Sequence, residues 1–145
     1  MLNTTINNIK FEAPKTTTDM LQVLLADKSD GAYRITLNNT EYSESGRGIR
    51  PHFIEVEKDN DGFVIYEMGN CMYGRNQKGD IDLITADYFN FRSGESFVER
   101  NYHFSAFTGD GPEASIENLK SLTSYFRMRC FDLPVVAELK KNDVA

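Results

Sequence analysis

The sequence has few cysteines, the residues that hold small disulfide-linked or zinc-bound proteins together. It has only two, Cys71 and Cys130, among 145 residues, and it has no tryptophan. Cysteines this far apart, without a C-x-x-C spacing, predict neither a disulfide framework nor a zinc ribbon. We therefore expect both to be reduced, buried thiols in a chain that is long enough to bury the core of one domain.

Long apolar runs and an excess of positive charge are missing as well. No stretch is long and apolar enough to span a bilayer, and the N-terminus lacks the basic start and apolar run of a secretory signal. We therefore expect a cytoplasmic protein with no membrane partner. The formal charge of −6, from 22 acidic and 16 basic residues, disfavours nucleic acid as a direct ligand. It favours a protein partner, and a basic one most of all.

Cofactor motifs are absent too. The sequence contains no Gly-rich phosphate loop, no dinucleotide fingerprint and no nucleophile elbow, so no cofactor is predicted.

Two segments carry the apolar spacing of helices. Near the N-terminus, residues 16–18 are threonines that offer N-caps before Asp19, and Gly31 offers a left-handed C-cap. The later helix is predicted to start at Pro112, with cations towards its C-terminal end. The apolar positions of the two helices are Met20, Leu21, Leu24 and Leu25 in the first and Ile116, Leu119, Leu122 and Phe126 in the second.

Between the helices the period changes from helical spacing to two, which is typical of strands. The segment Phe63–Met68 is apolar on both faces and is therefore predicted to lie in the middle of a sheet. A tight turn, Asp59–Gly62, joins it to the preceding strand, and Gly69–Gly79 is predicted to be a loop. The other predicted strands are Ala32–Asn38, His52–Glu57, Asp80–Phe91, Ser96–Phe107 and, at an edge, Val135–Leu139.

These segments together predict an α+β fold. We expect a single antiparallel-rich sheet of about five to six strands, with one helix near the N-terminus and one near the C-terminus. Residues 1–145 are expected to form one domain, with residues 1–15 and 140–145 as flexible ends.

The polar stretch Asn39–Pro51 is longer than most connections between strands, and long loops often carry function. It combines hydroxyl groups with two guanidinium groups, a set that can grip a phosphate or a carboxylate on a partner. The ordinary alternative is a solvated loop. The candidate binding residues are Tyr42, Ser43, Arg47, Arg50 and, at the start of the next strand, His52.

A carboxylate-rich hairpin is the alternative candidate site, since metal-dependent nucleases hold magnesium with such groups. A polar, solvated sheet face explains the same residues without any metal. The acidic turn that ends at Gly62 begins like a calcium loop but places Met68 where a bidentate Glu is required, so we predict no metal site there. The hairpin residues concerned are Asp80, Asp82, Asp87, Glu95, Glu99 and the imidazole of His103.

The segment Ile35–Val56 resembles the central signature of an uncharacterised bacterial family of short proteins. In that family a strand leads into a Tyr-Ser-x-Glu-x-Gly loop and then into a Pro-Val-Glu-Ile-like strand. The segments that resemble these two parts here are Glu41–Gly46 and Pro51–Val56. This sequence departs from the pattern at Arg47–Arg50, where the family tends to be Gly-rich. The resemblance implies a domain of unknown function, often carried on mobile elements, and it supplies no catalytic residues.

Three functional hypotheses remain open. The first is a noncatalytic protein-binding or regulatory protein of bacterial or phage origin, acting through the loop segment Tyr42–Arg50 or an acidic sheet face. The second is an acidic inhibitor or immunity protein that blocks a basic site on its partner. The third is a small metal-dependent hydrolase or nuclease that uses Asp80, Asp82 or Glu99 together with His103.

Overall fold

The structure is a computed structural model that describes residues 3–6, 9–45, 47–60, 62–98, 102–105 and 111–140. Side chains are described within these ranges, except those of residues 3–6, 9–12, 102–105, 111–113 and 133. The elements, in chain order, are β1 (Asn3–Ile6), β2 (Ile9–Glu12), α1 (Lys15–Leu24), β3 (Gly31–Asn38), β4 (His52–Asp59), β5 (Gly62–Arg75), β6 (Ile81–Asn90), β7 (Glu95–Val98), β8 (Tyr102–Ser105), α2 (Gly111–Arg127) and β9 (Leu133–Glu138).

One antiparallel sheet organises the described residues, in the strand order β8-β7-β6-β5-β4-β3-β9. Strand β5 has three strands on either side, which confirms the central position predicted for Phe63–Met68. Strand β9 pairs with β3 and forms one edge, and Pro134 is tolerated there because an edge strand needs fewer main-chain donors. Strands β1 and β2 form a separate two-stranded antiparallel pair. The α+β class and the helix near each end of the chain are confirmed.

Both helices cover the same face of the sheet. Leu21 and Leu25 from the N-terminal helical region and Leu119 and Leu122 from α2 join a single core with the inward side chains of the strands. Burial of these leucines contributes roughly 25 cal/mol for each Å² of apolar surface removed from water. The inward strand residues of this core include Tyr33, Ile35, Leu37, Ile54, Val56, Ile65, Met68, Phe89 and Phe91.

The opposite sheet face is polar and is organised around one arginine. The guanidinium of Arg34 lies 4.4 Å from the centroid of the Phe53 ring and donates to the carboxylates of Glu55 at 3.1 Å and Glu67 at 3.5 Å. The Tyr88 hydroxyl donates to the second oxygen of Glu67 at 2.8 Å. This network covers Phe53, which is buried although it points away from the helices.

The first helix begins and ends differently from the prediction. Pro14 is its N-cap residue, and the helix already includes residues 16–18, of which Thr17 and Thr18 are buried. Thr17 and Thr18 therefore act as small interior residues, and none of the three threonines is the N-cap. The helix ends at Leu24, so Gly31 is the first residue of β3 and not a C-cap. Instead, the Lys58 ammonium donates to the carbonyls of Leu25 and Lys28 just after the helix.

Two strand boundaries also differ. Strand β5 continues to Arg75, so most of the predicted loop Gly69–Gly79 is strand, and only residues 76–80 form the turn into β6. The predicted strand Ser96–Phe107 is two short strands, β7 and β8, which pair with each other. The sheet therefore has one strand more than the six segments that the sequence indicates.

The two cysteines are free, as predicted, but both are only partly buried. Burial raises the pKa of the Cys71 thiol, which favours its protonated and unreactive form. Neither of the helices in the described part of the chain is long and apolar enough to cross a membrane.

Candidate functional site

A row of three polar side chains crosses the sheet beneath helix α2. His52 of β4 pairs with Asn70 of β5, and Asn70 pairs with Asp87 of β6. The row two residues along the same face, Ile54–Met68–Phe89, is apolar and belongs to the core. Because side chains two residues apart on a strand point to the same face, the polar row points towards the helices as the apolar row does. The core therefore gives way to a polar site at this end of the sheet.

A β-bulge lies directly beside this row. The register between β5 and β6 shifts between Asn70 and Cys71, so that Asn70 faces Asp87 while Cys71 faces Thr85. Bulges bend a strand and change the direction of nearby side chains, and they are common next to functional sites. Here the Cys71 amide donates to the carbonyl of Pro51 at 2.9 Å, which ties β5 to the end of the long loop.

Asn70 links the sheet to helix α2 by hydrogen bonds. Its Nδ2 donates to Asp87 Oδ2 at 2.9 Å and to Asn118 Oδ1 at 3.2 Å. Asn118 in turn donates through Nδ2 to the carbonyl of Ala114, one helical turn earlier, at 3.3 Å. A carboxylate only accepts hydrogen bonds, so the contact with Asp87 fixes which end of the Asn70 amide carries the hydrogens.

The other end of this amide has no partner among the residues that the structure describes. Asn70 is 5% exposed, and its Oδ1 is buried without a hydrogen bond. A buried acceptor left without a donor costs free energy, and such atoms are rare in folded proteins.

His52 forms the next part of the row and is also buried. Its Nδ1 lies 2.7 Å from the carbonyl oxygen of Arg50, and a carbonyl can only accept, so Nδ1 carries the hydrogen. The ring packs edge-on against Tyr125, with centroids 6.0 Å apart, and Phe131, with centroids 5.5 Å apart. Burial lowers the pKa of His52 below its ordinary value of 6.5, so the ring is neutral at pH 7. Asp87 and the Arg50 carbonyl act in the opposite direction but do not outweigh burial.

The buried histidine predicts a pH dependence of stability. Because the pKa of His52 is lowered by folding, the unfolded chain takes up the proton first as the pH falls. The contribution of neutral His52 to the free energy of unfolding is fully present above pH 6.5 and is lost as the pH falls through the folded-state pKa. We expect His52→Gln to remove this part of the pH dependence and His103→Gln, its control, to retain it. Urea unfolding of the three proteins between about pH 7.5 and 5.5 tests this, and an unchanged profile in His52→Gln contradicts it.

The row opens into a cavity of about 380 Å³ between the sheet, helix α2 and the end of the long loop. Its lining is mixed in charge, with the carboxylates of Asp87 and Glu117 and the guanidinium of Arg50. Helix α2 contributes Asn118, Ser121 and Tyr125, which are three and four residues apart and therefore lie on one face, together with the adjacent Glu117. The lining residues are Gly48, Ile49, Arg50, His52, Asn70, Asp87, Glu117, Asn118, Ser121 and Tyr125.

The long loop before β4 is held in place by contacts with β5 and with the segment that follows α2. The Tyr42 ring stacks on Tyr73 with centroids 5.4 Å apart, and its hydroxyl accepts from the Tyr73 amide at 3.1 Å. Gly48 has a φ of +84°, and a Cβ there would lie 2.8 Å from the Tyr42 nitrogen, so only glycine fits. At the other end of the loop the side-chain amide of Asn39 donates through Nδ2 to the carbonyl of Cys130 at 2.6 Å.

The structure brings two of the five candidate binding residues into the cavity. Arg50 and His52 line it, whereas Tyr42 and Ser43 hold the loop together. The Ser43 hydroxyl bonds to that of Ser45 at 2.7 Å, and its amide donates to the Arg47 carbonyl at 3.3 Å. Arg47 is exposed and is not among the residues that line the cavity.

The carboxylates of the alternative candidate do not all lie together. Asp87 belongs to the polar row, but Asp82 pairs with Gly74, five residues and about 16 Å further along β6. Asp80 and Asp82 are exposed. Glu99 and the His103 side chain lie outside the described residues. No three His, Cys, Asp or Glu residues of the described part of the chain are placed to share a metal ion.

Sequence reasoning missed Asn70, Asn118 and Tyr125 as site residues. Asn70 lies in the predicted loop Gly69–Gly79, where a polar side chain is ordinary and does not indicate a site. In α2 a signal was present, because Asn118, Ser121 and Tyr125 form a second, polar stripe beside the apolar one.

The fold defined by this sheet and its helices occurs in solved structures of bacterial proteins. The conserved hypothetical protein VC1805, from pathogenicity island VPI-2 of Vibrio cholerae O1 biovar eltor strain N16961, superposes with a TM-score of 0.74. It is 16% identical, and the match covers 94% of this chain and 100% of that one. VC1805 is itself described as sharing structural homology with the human P32 protein.

A second similar structure also comes from Vibrio cholerae. The hypothetical protein VC0508, from the VSP-II pathogenicity island, superposes with a TM-score of 0.70 at 18% identity. The match covers 88% of this chain and 98% of that one. No protein-family model and no curated protein sequence matches the chain, so the resemblance to the uncharacterised family stays a prediction. At these identities the structural likeness shows a shared fold and nothing finer.

Proposed function

We propose that this chain is a noncatalytic protein-binding or regulatory protein of a bacterial mobile element. In this proposal it contacts its partner through the loop Asn39–Pro51 and the cavity at the end of that loop. The observation that carries the proposal is the buried polar row beneath α2, which ends in a cavity large enough for one side chain of a partner.

The order of the loop supports a role in binding. A loop that is already fixed by the Tyr42–Tyr73 stack and by the Asn39 contact loses little conformational freedom when a partner docks. Arg47 is exposed on this loop and is therefore available for contact with a partner. An exposed charge at the rim of an interface mainly steers association and selects the partner.

The contacts of His52 account for it as part of the cavity wall. Here burial lowers the pKa of His52, its Nδ1 donates to a main-chain carbonyl, and two aromatic rings enclose the ring. These contacts suit a structural histidine that shapes the cavity wall.

The likeness to proteins of two Vibrio cholerae pathogenicity islands supports the mobile-element part of the proposal. VC1805 and VC0508 share the fold over nearly their whole lengths. Pathogenicity islands are mobile regions of a genome. The resemblance of the segment Ile35–Val56 to an uncharacterised bacterial family independently implies a mobile element.

A charge reversal on the loop tests the protein-binding role. Wild-type protein, Arg47→Glu and the control Lys78→Glu are used as bait in bacterial lysates, and recovered proteins are quantified by mass spectrometry. Lys78 is also an exposed cation, in the turn between β5 and β6, so both variants change the net charge equally. We expect recovery of a specific partner to fall at least about five-fold with Arg47→Glu only.

Either of two results contradicts the proposal. One is that no recovered protein responds to Arg47→Glu. The other is that both variants reduce recovery equally, which would indicate an effect of net charge alone.

A further inference from the structure

We infer that two copies of this chain associate through their β9 strands, which pair antiparallel about a two-fold axis at Val136. The sheet then continues from one copy into the other. This surface is separate from the proposed partner site, because none of the residues that line the cavity beneath α2 belongs to β9. Three features carry the inference: an open strand edge, its exposed apolar side chains and its complementarity to itself.

Strand β9 is an open edge of the sheet. Among the described residues it pairs with β3 alone. The Leu139 amide donates to the Ala32 carbonyl at 2.8 Å, so the main-chain groups of Leu139 turn towards β3. Because these groups alternate in direction along an antiparallel strand, every second residue before Leu139 turns the same way. The residues whose main-chain groups point outwards are therefore Pro134, Val136 and Glu138.

The edge is also apolar. The segment Leu133–Glu138 contains a single charge, that of Glu138. Val135 is 52% exposed on the sheet face opposite the helices, two residues from the exposed Ala137 on the same face. Exposed apolar edges tend to pair with another strand, and monomeric proteins protect them with charges, bulges or prolines. Pro134 protects only the N-terminal end of β9, so the rest of the edge stays open to a strand.

The outer edge of β9 is complementary to itself in one register. With the axis at Val136, the two Val136 residues exchange both main-chain hydrogen bonds, and each Glu138 amide donates to the Pro134 carbonyl of the other copy. The amide that Pro134 lacks falls at the ends of this ladder. An axis at Pro134 or Val135 places that gap at the centre. An axis at Ala137 or Glu138 brings the two Glu138 carboxylates together, which is unfavourable. This self-complementarity indicates a second copy as the occupant.

The side chains agree with this register. On the face opposite the helices, Val135 of each copy lies opposite Ala137 of the other, so exposed apolar surface is removed from water. At both ends of the ladder, Lys140 of one copy approaches Asp132 of the other. A side-chain hydrogen bond from Thr40 lowers the pKa of Asp132, so this carboxylate is charged at pH 7. Opposite charges at both ends favour the paired arrangement.

Sedimentation equilibrium of the full chain between about 5 and 500 µM tests the association. We expect a dimer with a dissociation constant of about 100 µM or tighter, as suits a small interface. Val135→Glu should weaken the dimer at least about ten-fold, because it places a carboxylate in the apolar contact. The control Ile81→Glu changes the net charge equally at a residue of β6 that is also 52% exposed, and should leave the dissociation constant unchanged. Both positions are exposed, so both variants keep the fold.

Disulfide trapping tests the register, in a background of Cys71→Ser and Cys130→Ser. In the two-fold dimer the two Val136 Cα atoms lie about 5.5 Å apart, which is within disulfide range. Val136→Cys should therefore cross-link two copies under mild oxidation. The control is Lys140→Cys, whose counterpart lies eight residues away along the paired strand, about 26 Å, and should not cross-link.

A chain that stays monomeric up to about 500 µM overturns the inference. Weakening by Val135→Glu that is no larger than that by Ile81→Glu overturns β9 as the contact. A dimer in which Val136→Cys cross-links no more readily than Lys140→Cys overturns the two-fold register. Arg47→Glu should leave the dimer unchanged, so failure of the dimer and failure of the protein-binding proposal are distinguishable.

Discussion

Replacing Gly69 with alanine is expected to lower the free energy of unfolding by about 3 kcal/mol. A Cβ at this position would lie 2.4 Å from the carbonyl oxygen of Asp87 and 2.7 Å from the Phe53 ring. The first of these atoms belongs to the backbone of the paired strand, so it can move only if the pairing of β5 and β6 is disturbed. The displacement would also separate Asn70 from Asp87, two of the three members of the polar row.

Urea unfolding of Gly69→Ala measures this effect, with Gly79→Ala as the control. Gly79 has a φ of +83° but no atom within 4 Å of an added Cβ, so its replacement reports backbone strain alone. We expect the control to lose about 1 kcal/mol. A loss in Gly69→Ala no larger than that of the control contradicts the close approach of β5 and β6 in this structure.

Replacing Leu119 with alanine is expected to cost about 3 kcal/mol, within the usual range for a buried leucine. Leu119 is fully buried and helps to fix α2 against the sheet. It directly follows Asn118, which accepts from Asn70, so a loosened helix also weakens the cavity wall. The control is Ser124→Ala at an exposed position of the same helix, which is expected to change stability by less than about 0.5 kcal/mol.

The two variants are compared by urea unfolding at pH 7, with the slope of the transition as a check on two-state behaviour. Equal stability of the two variants contradicts the described packing of α2.

Most of the sheet follows from the sequence because its pattern is local. The alternation of Tyr33, Ile35 and Leu37 is read from seven consecutive residues, and the hairpin turn before Gly62 has its own composition. The central position of β5 follows from apolar residues on both of its faces.

The extension of β5 to Arg75 could not be predicted in this way. Gly69 and Gly74 are typical loop residues, yet each lies in the strand where another chain segment comes close. At Gly69 the neighbour is the Asp87 carbonyl, and at Gly74 it is the Ile84 side chain. Such close approaches depend on tertiary pairing and leave no local signal. The threonines of α1 show the same limit, because their burial against the core overrides their preference for capping positions.

The candidate site was predictable only in part. The long loop and His52 are visible in the sequence because loop length and residue type are local properties. Asn70, Asp87 and Asn118 are separated by 17 and 31 residues along the chain and meet only through the strand register and the placement of α2. A shift of one residue in that register would turn Asn70 to the opposite face.

The most direct test of the central claim is capture of the partner with wild-type protein, Ser121→Trp and the control Ser124→Trp. Ser121 and Ser124 are both exposed on α2, but only Ser121 lines the cavity. The account predicts that Ser121→Trp, which places a large ring at the cavity, loses the partner that wild-type protein recovers, whereas Ser124→Trp retains it. Equal recovery with the two variants would contradict the assignment of this cavity to the binding surface.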